Sequence, residues 1–203
     1  GAVNLEDGFR TWAHPRSRGR GAVVVLNDEI NSAREVTKTD ALSLDTFQSG
    51  RYGVLGVVDA SGVAYYRKTA RRHSAQSEFD VTNLTTLPRV DIAWVYQGAT
   101  GDVINALVDA GAKGVIIAGA GAGATSGTQG QGITYAIGKQ VFVVTTTRAG
   151  AGRISVRPPR PGTTPVYSIS GDDLTPIKAR ILLMLAIATT NDGRVIQRMF
   201  SEY

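Results

Sequence analysis

No cysteine occurs in the 203 residues. Disulfides, thiolate nucleophiles and cysteine-ligated metals are thereby excluded, although the compartment is left open. Long apolar runs are also missing. The longest, Ile181 to Ala188, has eight residues, whereas a membrane span needs about 20. That length fits a buried helix or an oligomer face. Histidine occurs twice, at His14 and His73, too far apart in sequence to suggest a metal cluster, and there is no Gly-x-Ser-x-Gly elbow. No Asp or Glu lies between Asp109 and Asp172. The opening residues Gly1 to Asp7 lack the basic and apolar regions of a signal peptide. The formal charge of +5 is spread over scattered Lys and Arg, so neither a nucleic-acid nor a membrane partner is expected.

What is present is globular composition, 42% hydrophobic and 19% charged. This length corresponds to one or two domains. Asn4 is placed to cap a helix over Leu5 to Trp12, ending near Pro15. The loop Pro15 to Gly21 is rich in arginine; it reads as a solvated turn, since no aromatic interleaves the arginines for RNA stacking. Ala22 to Leu26 reads as a buried central strand of a parallel sheet, because such strands show continuous β-branched runs. Its flanking strands would then have to come from elsewhere, so the isolated chain is expected to be oligomeric or poorly soluble. Ile30 to Thr39 is polar and extended, Ser43 to Phe47 a helical turn. Val54–Val58 and Val63–Tyr66 form a hairpin about Asp59 to Gly62.

Residues 67 to 86 are polar and charged, as in a linker, and His73 there reads as structural. From Val90 the pattern is βαβα: strands at Val90–Tyr96, Gly114–Ala118 and Val141–Val144, with helices at Asp102–Ala110 and Gly127–Gly138 between them. Thr175 and Pro176 open an apolar helix to Thr190. A last helix follows, with Val195, Ile196, Met199 and Phe200 on one face.

Four motifs carry possible chemistry. Gly119-Ala-Gly121-Ala-Gly123 follows a strand and loosely fits a dinucleotide fingerprint. The acidic residue that would hold the ribose is missing. The other reading is a glycine-rich turn that lets neighbouring segments approach closely. Arg157 to Pro161 has the form of a polyproline ligand or a rigid loop. Tyr96 to Gly101 links a strand to a helix and could offer amides to an anionic ligand. Finally, Val36-Thr37-Lys38-Thr39 places an ammonium between two hydroxyls. A partly desolvated lysine can take or orient a hydroxyl proton; a solvated lysine on a β-segment is the plain alternative.

Taken together, several stretches resemble the bacterial type II L-asparaginases and glutaminase-asparaginases. Val23 to Asp28 followed by Arg34 to Thr39 resembles that family's VVxNDxI…ARxVTKT segment. Phe47 to Gly56 is similar to FxSxxYGxLG, Ala70 to His73 to ARKH, and Ala106 to Gly111, Ala118 to Gly123 and Lys178 to Arg180 match in order. The resemblance runs the length of the chain. It implies an α/β fold: residues 1–66 as the end of an N-terminal mixed or parallel-sheet domain, 67–86 as linker, and 87–203 as a complete, smaller, flavodoxin-like parallel-sheet C-terminal domain. It implies hydrolysis of L-asparagine, with L-glutamine as the other candidate, to the acid and ammonia. No cofactor and no metal are implied. It further implies homotetramers, dimers of dimers with active sites between paired subunits, and a periplasmic compartment, with the cytoplasm as the alternative.

The resemblance assigns Lys38 to a Thr-Asp-Lys constellation that activates a threonine. Gly1-Ala-Val-Asn4-Leu5 resembles the tail of the family's DGPxNL motif. The TGGTI segment with the nucleophilic threonine and the HGTD motif with the second threonine and the aspartate have no counterpart here. They are expected from a segment or chain outside this sequence, without which the chain is expected to be inactive. The family's partner-subunit asparagine falls on Gly98, with Gln97 beside it as a substitute, and its acidic residue falls near Pro159 and Arg160. A non-catalytic scaffold built on the flavodoxin-like domain is the reading from another class.

Overall fold

The computed structural model describes residues 1–156 and 166–203. Two compact units emerge, Gly1–Glu78 and Phe79–Tyr203.

The first unit opens with helix α1 (Ala2–Ala13). The helix starts at Ala2, capped by Gly1, three residues before the cap expected at Asn4. Asn4 acts elsewhere: its Oδ1 accepts the backbone N–H of Asn27 at 3.2 Å. Strands β1 (Val23–Leu26) and β2 (Glu29–Ser32) are joined by Asn27 and Asp28, both at positive φ, 50° and 62°. This is the geometry of a two-residue hairpin turn, and Asn and Asp tolerate it better than other side chains. The expectation of a buried parallel strand at 22–26 is therefore corrected. β1 pairs antiparallel with β2, Leu26 opposite Glu29, and every one of its residues is half-buried. Its valines pack one face only, Val23 and Val25 lying against buried Ile30, Leu55, Val58 and Tyr65.

Strand β3 (Thr37–Lys38) pairs with β4 (Phe47–Gln48), so Phe47 is extended where a helical turn was expected. Strands β5 (Gly56–Asp59) and β6 (Gly62–Tyr65) form the anticipated hairpin, and β5 pairs with β2. The main sheet of this unit runs β1-β2-β5-β6, antiparallel throughout.

The second unit is the α/β part. Its strands are β7 (Val90–Trp94), β8 (Gly114–Gly119), β9 (Phe142–Thr147) and β10 (Ser168–Ser170), parallel and in sequential order. Helices α2 (Asp102–Asp109) and α3 (Gln129–Gly138) link the first three strands. Helices α4 (Pro176–Thr189) and α5 (Gly193–Glu202) follow β10. β8 is buried at every residue. Side chains alternate across a strand: Val115 and Ile117 point into the layer with Ile104, Val108 and Ala136 of α2 and α3. Ile116 points into the other layer, with Leu182 and Leu183 of α4 and Ile196, Met199 and Phe200 of α5. Two-sided burial explains the unbroken apolar run of β8. Strand β10 was not anticipated; Ser-Ile-Ser carries one apolar residue, Ile169, and enters the sheet through it. Among the described residues no helix is long and apolar enough to cross a membrane.

Candidate active site

The sequence-derived site residues divide between the units: Lys38 lies in the first, Gln97 and Gly98 in the second. Each is best understood from its own local frame.

Lys38 sits on β3, opposite Phe47. Its side chain is exposed, and its ammonium lies 5.7 Å from the centre of the Phe47 ring. No hydrogen bond or ion pair holds it among the described residues. The backbone beneath it is firmly held. Val36 is buried. The Thr39 N–H and hydroxyl both donate to the Thr46 carbonyl, at 2.8 and 2.9 Å, and the Thr46 hydroxyl accepts the Asp40 amide at 2.8 Å. Asp40 accepts the amides of Leu42 and Ser43, each at 2.8 Å, closing the connection back to β4. Those amides, Ser43 first, lower the Asp40 pKa below its ordinary value. Glu35, two residues before Thr37, is anchored by a salt bridge to Arg67. Thr39 is thus spent on backbone hydrogen bonding, while the Lys38 ammonium is presented outward.

The same unit holds a buried polar pair that sequence reading missed. The Ser49 hydroxyl donates to Asn31 Oδ1 at 2.5 Å, and both residues are buried. The available signal was polar residues in β2 at positions alternating with Ile30.

Gln97 and Gly98 lie in the loop between β7 and α2, at the carboxyl end of the parallel strands, where α/β sheets place their ligands. Gly98 has φ of 74°, and its N–H donates to the Ser126 hydroxyl at 3.0 Å. The Gly101 N–H donates to the Thr128 hydroxyl at 2.9 Å. The loop after β8 therefore splints the loop after β7. Gln129 is buried and completes the splint: its amide donates to the Trp94 carbonyl and its oxygen accepts the Ser126 N–H, both at 3.2 Å. Gln97 itself is exposed.

The glycine run follows the close-approach reading. A Cβ on Gly119 would sit 2.6 Å from Gly123 Cα, and one on Gly127 would sit 2.4 Å from the Ala99 carbonyl oxygen. Gly121, between them, has open space about it. The positions near Pro159 and Arg160, and the motif Arg157 to Pro161, lie outside the described residues. Among the described residues, Arg153 reaches the buried carboxylate of Asp172, which raises the Arg153 pKa above its ordinary value. Among the described residues no group of three or more His, Cys, Asp or Glu could hold a metal.

Two family profiles cover this chain. The one described as "Asparaginase, N-terminal" matches residues 1–71. The one described as "Glutaminase/Asparaginase C-terminal domain" matches residues 89–200, more than half of the chain. The chain belongs to the glutaminase/asparaginase family. Among its relatives, L-asparaginase 2 of Bacillus subtilis (strain 168) is 39% identical over 203 residues, covering 100% of this chain and 53% of the relative. L-asparaginase 2 of Escherichia coli (strain K12) is 36% identical over 214 residues, covering 100% and 58%. Glutaminase-asparaginase of Pseudomonas fluorescens biotype A is 34% identical over 203 residues, covering 100% and 56%. The chain spans little more than half the length of these relatives. Within the family frame, β3 and the β7–α2 loop fall under different profiles, Lys38 under the N-terminal one and Gln97 and Gly98 under the C-terminal one.

Proposed function

We propose that this chain is part of an amidohydrolase that cleaves L-asparagine, and as the alternative amide L-glutamine, to the acid and ammonia. Lys38 is its proton-handling group. The nucleophilic threonine and the threonine and aspartate that complete the constellation come from the part of the family's length that this chain does not span. The observation that carries the reading is the match of both family profiles, in order, with the Lys38 side chain exposed on β3.

The chemistry needs more than one group. Amide hydrolysis through a hydroxyl nucleophile requires a base for the attacking hydroxyl, a proton for leaving ammonia and stabilisation of the tetrahedral oxyanion. An ammonium alone supplies one of these at most, and groups that act as a unit lose nearly everything when separated. The chain by itself is therefore proposed to be inactive. Residues 1–66 close the N-terminal domain, 67–86 connect, and 87–203 form the C-terminal domain; the gap between the two profile matches supports a connector there. In the assembled enzyme Gln97 and Gly98 approach the substrate of a paired subunit within a dimer of dimers. Exposure of Gln97 and the left-handed conformation of Gly98 are compatible with that role.

The test combines the purified chain with a separately produced segment bearing the TGGTI and HGTD motifs and follows ammonia release from each amide. Activity is expected only in the mixture. Lys38→Ala should lower it by roughly a hundredfold or more, the usual scale for a lost proton-transfer group. A complete mixture that releases no ammonia, or a Lys38→Ala variant as active as the parent, overturns the proposal.

A further inference from the structure

The arginine-rich loop after α1 supplies none of the groups assigned above to amide hydrolysis. Together with residues 68–76 it walls a groove of about 790 Å³, wholly within the first unit. Arg16, Arg18 and Arg20 line one side, Lys68 and Arg71 the other. Five of the chain's 22 basic residues thus face one groove. No Asp or Glu is among its lining residues.

The groove is held open by its own hydrogen bonds. Arg20 donates from Nε to the Arg16 carbonyl at 2.6 Å and from Nη1 to the Arg67 carbonyl at 2.7 Å. Its guanidinium lies 3.8 Å from the centre of the Tyr65 ring. The His73 ring bridges the walls, with Nε2 at 3.0 Å from the Gly19 carbonyl oxygen and Nδ1 at 2.5 Å from that of Arg71. Arg16, Arg18 and Lys68, by contrast, spend no side-chain donor on hydrogen bonds or ion pairs among the described residues. The buried hydroxyl of Thr69, in the same wall, also has no partner there. Like charges gathered in one groove repel one another, and no carboxylate in its lining offsets that. A multiply charged anion would.

We propose that this groove binds a small polyphosphate-bearing anion. Its volume lies within the range of small-molecule sites. Forked guanidinium donors match phosphoryl oxygens, and several cations suit a ligand with several charges better than one carboxylate. Single-stranded RNA fits less well, because no Phe, Tyr or Trp is among the lining residues and the face of Tyr65 is covered by Arg20. The proposal stands apart from amide hydrolysis, and its failure would leave that reading untouched.

Titration calorimetry of the whole chain at low ionic strength tests it, with inorganic tripolyphosphate, ATP and a 20-nucleotide oligouridylate as probes. Tripolyphosphate should bind, with affinity falling as salt rises. Arg18→Ala with Lys68→Ala should weaken it by roughly tenfold for each side chain removed, while Arg18→Lys with Lys68→Arg should retain most of it. Lys139→Ala with Arg194→Ala removes the same charge at exposed positions of the second unit and should change affinity little. Equal affinity for ATP indicates a site that reads only the phosphoryl chain; tighter ATP binding identifies a nucleotide as the ligand. No binding of tripolyphosphate or ATP, binding of the RNA alone, or equal loss in both alanine pairs overturns the proposal.

Discussion

Asp40 directly follows the Val36-Thr37-Lys38-Thr39 motif, and its carboxylate closes the β3–β4 connection by accepting the amides of Leu42 and Ser43. Those amides favour the ionised form, Ser43 contributing most, so the folded-state pKa lies below the ordinary 3.8. A depressed value means that the turn's contribution is complete above 3.8 and is lost as pH falls through the lower native value. Amide exchange at Leu42 and Ser43 should accelerate in that acid window, ahead of exchange in β8, and Asp40→Asn should remove the pH dependence. Unchanged protection across the window would contradict the assignment.

Lys38 shows how far a residue could be read beforehand. The VTKT pattern and its resemblance single out the position, yet desolvation could not be judged from sequence. The side chain proves exposed, with its neighbours fixed around it. For Gly98 the loop was legible and its partner was not, because Ser126 lies 28 residues further on and no local pattern links them.

At the scale of elements, tight packing between successive βα loops sets the frame for Gln97 and Gly98. Gly119→Ala places a methyl against the backbone of Gly123 and against the Thr146 carbonyl oxygen, 2.9 Å away. Backbone cannot swing aside as a side chain can, so a loss of about 1–3 kcal/mol is expected, read as a lower denaturant midpoint with unchanged slope. Gln129→Ala removes the donor to the Trp94 carbonyl and the acceptor of the Ser126 amide. It should cost about 1–3 kcal/mol as well. It should also broaden the amide resonance of Gly98, which a purely global loss of stability would not do.

The elements themselves were legible where one signal dominated. β8 has an unbroken apolar run, and α5 has a clear apolar face. Helix α4 showed Pro176 at its start. The error at β1 has a definite physical source. Three consecutive valines fit a strand buried on both faces or one half-buried in a hairpin equally well. The deciding feature was the turn, and Asn27-Asp28 carries a weaker hairpin signal than Asn-Gly. β10 escaped because a three-residue strand with one apolar side chain has almost no periodicity to detect.

The molecule as a whole presents one feature that neither unit's core absorbs. Helix α1 turns two polar residues inward: Asp7 and Thr11 are buried, and Asp7 Oδ2 and Thr11 Oγ1 have no hydrogen-bond partner among the described residues. The opposite face carries Leu5, Phe9 and Trp12, 64%, 63% and 82% exposed. These positions, four and three residues apart, form one stripe along the helix. Apolar patches of this kind mark contact surfaces. Burying three such side chains would stabilise an assembly by several kcal/mol at about 25 cal/mol per Å². The isolated chain should therefore run above its 21.4 kDa monomer mass in light scattering coupled to size exclusion. Phe9→Glu with Trp12→Glu should return it to monomer without lowering helix content, since both positions are exposed. If the parent chain is already a monodisperse, cooperatively melting monomer, the stripe is not a contact surface.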